Sequence, residues 1–182
     1  MKRHPLPDSN LELPNLVNSK YHSVAEFQKL DISDNFNLFH SNANGLESKF
    51  DSLHTFLSGS NTSMDAVAIT ETSECANQSF LTNVSLDGYK LYHTPTDSPK
   101  GGTVLFLKRI FDSYERIDLK IQTSEYQSVW VEIKNKKSKN IVCGCIYRHP
   151  RYDMSNFLNY MDSTLKKLTD KFTRAVISIS TY

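Results

Sequence analysis

The sequence predicts an α/β protein in which one sheet carries helices on one face and packs a second sheet against the other. Three observations carry this reading. Short β-branched and aromatic runs outnumber helical ones. Two pairs of runs are joined as hairpins, which makes antiparallel neighbours. Other runs are separated by amphipathic helices, so the order is neither a simple Rossmann fold nor a barrel. The 182 residues suit one domain, and 38% hydrophobic with 23% charged residues is an ordinary globular mixture. A net charge of +1 argues against a strongly basic general nucleic-acid binder, although a local basic patch is hidden in that total.

Residues 1–34 are polar, with Pro5, Pro7 and Pro14 near the front, and read as an extension with an amphipathic turn or two around VAEFQKL. From residue 35 onward the texture is that of a domain. FNLFHS is a strand candidate. LESKFDSLHTFL places Leu46, Phe50, Leu53 and Leu57 at helical spacing. DAVAIT is short and apolar throughout, as suits a strand covered on both faces. GYKLYH and TVLFLK flank the turn-rich TPTDSPKGG, and SVWVEIK and NIVCGCIYR flank a lysine-rich tip. DMSNFLNYMDSTLKKL is a helix capped by Asp153 or Ser155, with Phe157, Leu158, Met161, Leu165 and Leu168 as its apolar stripe. A last strand, AVISI, follows.

The three cysteines, Cys75, Cys143 and Cys145, are an odd count that fits a reduced, intracellular compartment. Cys143 and Cys145 sit two apart in a strand and should share a face. Their spacing is not that of a zinc site. No apolar run approaches the ~20 residues of a membrane span. The opening MKRHPLPDSNLELP has no apolar segment behind its basic residues, unlike a secretory signal.

Three stretches can carry chemistry. In HSNANGL, Asn42 ends a strand, where an amide can bind a metal's water or a phosphate; the same letters also read as a turn with a local Asn cap. In DAVAITET, Glu71 emerges as the buried strand ends, and a carboxylate there suits magnesium, which takes few carboxylates and keeps several waters. It also reads as an exposed residue starting a loop. In CGCIYRHP, Tyr147 and Arg148 precede a break at Pro150; tyrosine can hydrogen-bond a phosphate and arginine can grip two of its oxygens. His149 is a conceivable acid or base but takes no assigned role.

Taken in order, these stretches resemble the endonuclease/exonuclease/phosphatase superfamily, and within it the apurinic-type endonuclease domain of non-LTR (LINE-type) retrotransposons. The resemblance rests on FNLFHSNANGLESKFDSLHTFL, AITET, GYKLYHTPTDSPKGGTVLFLK, YQSVWVEIKNKKSKNIVCGCIYRHP and FLNYMDSTLKKL, and covers about residues 35–180. It implies a four-layered α/β sandwich of two packed mixed sheets flanked by helices. It also implies magnesium-dependent phosphodiester hydrolysis of DNA, with a reverse transcriptase domain in the full-length element. Asn42 matches the family's first active-site Asn, Glu71 its metal-binding Glu and Tyr147 its phosphate-contacting Tyr; Arg148 follows as in many retrotransposon members. The family next writes Gly-Asp-Phe-Asn, and later Ser-Asp-His, where this sequence has ISISTY and then stops. The sandwich is therefore expected to be incomplete, magnesium binding weak, and the chain inactive alone. Two other readings remain: a non-catalytic nucleic-acid-binding remnant using Lys134, Lys136, Lys137 and Lys139, or a phosphoesterase acting on small phosphoesters.

Overall fold

Two sheets form the centre of the molecule. The computed structural model describes residues 20–31, 36–73, 78–98, 100–136, 139–169 and 174–181. The first sheet holds β1 (Leu38–Asn42), β2 (Ala66–Thr70), β3 (Tyr89–Thr94) and β4 (Thr103–Lys108), in the order β1-β2-β4-β3. β1 and β2 are parallel; β4 runs antiparallel to both β2 and β3. The second sheet holds β5 (Ser113–Glu115), β6 (Ile121–Gln122), β7 (Tyr126–Ile133), β8 (Ile141–Arg148) and β9 (Arg174–Ser180). Its order is β5-β7-β8-β9, with β6 also on β7. The β7–β8 hairpin is antiparallel, and β9 returns parallel to β8 through a helix. Both expected hairpins are present, and so is the fully buried β2.

Strand alternation sorts the side chains into three cores. Between the sheets, Ala66, Ala68, Leu105 and Leu107 meet Val129, Val131, Ile133, Cys143 and Cys145. The two thiols thus share a face as their spacing predicts, and burial pushes Cys143 up to about 12. Cys75 lies outside the described residues. On the outer face of the first sheet, Val67, Ile69, Val104 and Phe106 pack against Leu46, Phe50 and neighbours. These come from a 3-10 turn, Glu47–Lys49, with its flanks and from α2 (Phe50–Ser58), joined by α3 (Gln78–Asn83), a helix the sequence reading lacks. On the outer face of the second sheet, Trp130, Val142 and Ile146 pack against Phe157, Met161 and Leu168 of α4 (Met154–Thr169). Gly144 is opposite Trp130 in the register, and a Cβ there would run into the indole ring.

Two details differ from expectation, the face of α4 and the place of the extension. The buried stripe of α4 is Phe157, Met161, Thr164 and Leu168, while Leu158 and Leu165 are exposed. Its cap is as expected: of the two candidates it is Asp153, which accepts from the Ser155 amide at 2.7 Å. Part of the polar extension packs on the domain: α1 (Val24–Gln28) starts with a capping box between Ser23 and Glu26, and Phe27 stacks on Phe56 at 5.4 Å. Among the described residues, β1 pairs only with β2 and β9 only with β8, so one edge of each strand is open. No helix of the described residues is long and apolar enough to cross a membrane.

Candidate active site

The carboxyl ends of β1, β2, β8 and β9 gather at one end of the sandwich. Register pairs Asn42 with Thr70 and Tyr147 with Ser180. The two sheets are tied there by the Asn42 amide, whose Nδ2 donates to Ser180 Oγ at 3.3 Å. The other half of that amide accepts from the Asn44 backbone at 3.2 Å, so Asn42 forms the local turn and also ties the two sheets.

Glu71 sits one residue beyond β2 in a left-handed conformation, φ 52°, where a residue with a Cβ is uncommon. Its neighbours hold it there. The turn after β1 is laced to it by three backbone bonds: Ala43 to Thr70 O at 2.9 Å, Gly45 to Glu71 O at 2.8 Å and Leu46 to Thr72 O at 3.0 Å. Asn44 and Gly45 are themselves left-handed, at φ 46° and 95°, which explains the choice of Asn-Gly at this point. From the other side, the Ser73 amide donates to Gly101 O at 3.0 Å. Gly102, at φ 81°, lies so close to Thr72 that a Cβ would overlap its hydroxyl.

Tyr147 is fully buried beneath this turn, and Glu71 is 5% exposed. The Tyr147 hydroxyl lies within hydrogen-bonding reach of the Glu71 carboxylate, and burial, then that negative charge, push its pKa far above the usual value. Tyr147 therefore stays protonated and acts as a donor. Gln127 is its register partner on β7. Its side chain accepts from the Gly102 amide at 3.1 Å and donates to the Thr123 carbonyl. Gln127 thus braces the glycine pair that braces Glu71. Sequence reasoning missed both Gln127 and Ser180; the available signal was the single amide in the strand YQSVWVEI.

Arg148 is placed differently from the other three. Adjacent residues of a strand face opposite ways, so Tyr147 points between the sheets and Arg148 toward the α4 side. Arg148 is 8% exposed, and its Nη1 donates to the His149 and Tyr152 carbonyls, each at 3.2 Å. The structure brings Asn42, Glu71 and Tyr147 together and commits Arg148 to the following loop. The lysine-rich tip lies at the opposite end of the β7–β8 hairpin, on the order of 25 Å away at about 3.4 Å per residue. There Lys134 pairs with Asp112 at 3.5 Å, and Lys137 lies outside the described residues.

The donor set can be tested against magnesium. One carboxylate, almost buried and flanked by an amide and a phenol, suits an ion that keeps most of its waters. Among the described residues there is no group of three or more His, Cys, Asp or Glu to form an all-protein cage. The residues fit a loosely held magnesium ion completed by water or substrate.

Two packed mixed sheets flanked by helices make an α/β sandwich, and this fold is shared with solved structures. The chain is similar to the endonuclease domain of TRAS1, a telomere-specific non-LTR retrotransposon, with a TM-score of 0.54 and 11% identity over 80% of this chain and 58% of that one. It is also similar to the AP endonuclease LMAP from Leishmania major, with a TM-score of 0.53 and 14% identity over 71% and 46% of the respective chains. The chain thus spans between 46% and 58% of the length of these two structures. No protein-family model matches the sequence, and no curated protein matches it.

Proposed function

We propose that this chain forms the cation- and phosphate-holding part of a magnesium-dependent DNA endonuclease of the non-LTR retrotransposon type. The observation that carries the reading is the convergence of Asn42, Glu71 and Tyr147 where four strands end, on a fold shared with two DNA-processing enzymes. Glu71 would hold the metal, which supplies polarisation of a phosphoryl oxygen. Tyr147, kept protonated, donates toward Glu71 and fixes which way the carboxylate faces. Asn42 presents an amide to the phosphate or its water. In a full-length element the nicked strand would serve a reverse transcriptase.

Hydrolysis also needs a base to activate water. Among the described residues, no carboxylate–histidine pair accompanies the three at the site. The described His149 has its Nδ1 occupied by the Arg151 amide at 3.3 Å. Residues 1–182 are therefore proposed to hold cation and phosphate weakly and not to cleave. The test is nicking of supercoiled plasmid with magnesium. Residues 1–182 alone should leave it intact. A chimera carrying the further carboxyl-terminal part of the TRAS1 endonuclease domain should nick it and lose that activity on Glu71→Ala. Glu71-dependent nicking by residues 1–182, or a folded chimera that stays inert, would overturn the reading.

A further inference from the structure

We propose that Arg148 is a positioning residue, a buried strut that holds the His149–Tyr152 loop so that Arg151 and Tyr152 meet the substrate strand; this rests on the DNA reading above. The sequence alone makes Arg148 a phosphate clamp. Its geometry does not. The guanidinium leaves β8 on the face opposite Tyr147 and bridges the carbonyls of His149 and Tyr152, the two ends of the loop. Its Nε is buried without a hydrogen-bond partner. A clamp needs an open fork with two free N–H groups aimed at the ligand, whereas here one nitrogen is spent on loop carbonyls and another is enclosed.

The loop is ordered further by its own contacts. The His149 amide donates to Glu125 O at 2.8 Å, and the Arg151 amide donates to His149 Nδ1 at 3.3 Å. The rings form a chain leading outward from the site. Tyr147 meets His149 edge-on at 6.4 Å, and His149 meets Tyr152 edge-on at 5.4 Å. Tyr152 is 41% exposed, and Arg151 beside it is exposed. An exposed aromatic ring next to an exposed guanidinium suits a nucleotide, with the ring against a base or sugar and the guanidinium near a phosphate.

Two measurements on residues 1–182 test this. The first is amide exchange at Arg151 and Tyr152. Arg148→Ala and Arg148→Lys should both speed it by about ten-fold while β8 stays protected, because lysine lacks the fork that spans two carbonyls. The second is binding of a labelled DNA duplex by anisotropy. The losses from Arg148→Ala and Tyr152→Ala should be strongly non-additive, since both act through one loop. Unchanged loop exchange, additive losses, or full rescue of binding by Arg148→Lys would restore Arg148 to the role of clamp and overturn the proposal. If the unaltered chain binds no duplex, the DNA reading fails and the contact by Tyr152 fails with it; the exchange result still decides whether Arg148 is a strut.

Discussion

Glu71 has no salt bridge among the described residues; its place is set by backbone. A left-handed turn carries the carboxylate away from the buried strand, and that turn is supported by Gly45 on one side and by Gly101 and Gly102 on the other. The consequence is that a residue 31 positions away controls the carboxylate without touching the chemistry. Gly102→Ala forces a side chain into a left-handed backbone and against the Thr72 hydroxyl. We expect it to cost about 1–3 kcal/mol, read as a lower urea midpoint. In the nicking chimera it should also reduce activity beyond what the stability loss explains. Unchanged stability and activity would show that the glycine pair is only a surface turn.

At the scale of elements, α4 shows how packing refines a periodic pattern. Its buried face runs through Phe157, Met161, Thr164 and Leu168, so a threonine takes a buried place that the leucine periodicity does not mark. Leu158→Lys should then change stability by no more than about 0.5 kcal/mol, as surface substitutions do. Met161→Lys, which buries an unpaired charge against Trp130 and Ile146, should cost more than about 2 kcal/mol. Urea unfolding of the two variants checks this, and equal losses would contradict the assigned face. The long elements were legible because their apolar periods are complete: β2, the β7–β8 hairpin and the Leu46–Leu57 stripe all lie where the sequence puts them. α3, β5 and β6 were not, because two to six residues carry too little period to stand out. The direction of Arg148 was readable in principle, since strand alternation alone separates it from Tyr147. Chemical resemblance to a phosphate clamp hid that geometry. Gln127 was hidden because its role depends on a loop that is distant in sequence.

At the scale of the whole molecule, one polar cluster lies away from the site, at the far end of the β7–β8 hairpin. Arg116 bonds Asp118 at 2.6 Å and Glu132 at 2.8 Å, and Asn140 donates to the other Glu132 oxygen at 2.6 Å. Burial pushes the Glu132 carboxyl up, but the hydrogen bonds from Asn140, Tyr114 and Arg116 outweigh this and hold it below the usual range. A carboxyl lowered by folding adds stability above its unfolded value, about 4.3, and that stability is lost as pH falls through the folded value. Glu132→Gln should therefore destabilise the protein at neutral pH and much less in acid, so that the two stability curves converge as pH falls from the unfolded value through the lower folded one. Chemical denaturation across pH measures this; parallel curves would mean that Glu132 contributes through shape and not through charge.

The hydrogen bond between Asn42 and Ser180 joins residues 138 apart in the chain. Its consequence is kinetic. Closing so long a loop is entropically costly, although the cost grows only slowly with length, and chains dominated by distant contacts fold slowly. Each sheet has local hairpins that can form early, β3 with β4 and β7 with β8. The parallel pairs, β1 with β2 and β8 with β9, must wait for their crossovers. All the site's strand ends belong to those parallel pairs. A nascent chain is thus expected to build its framework first and to acquire the constellation of Asn42, Glu71 and Tyr147 last, so the candidate site is also the part assembled latest.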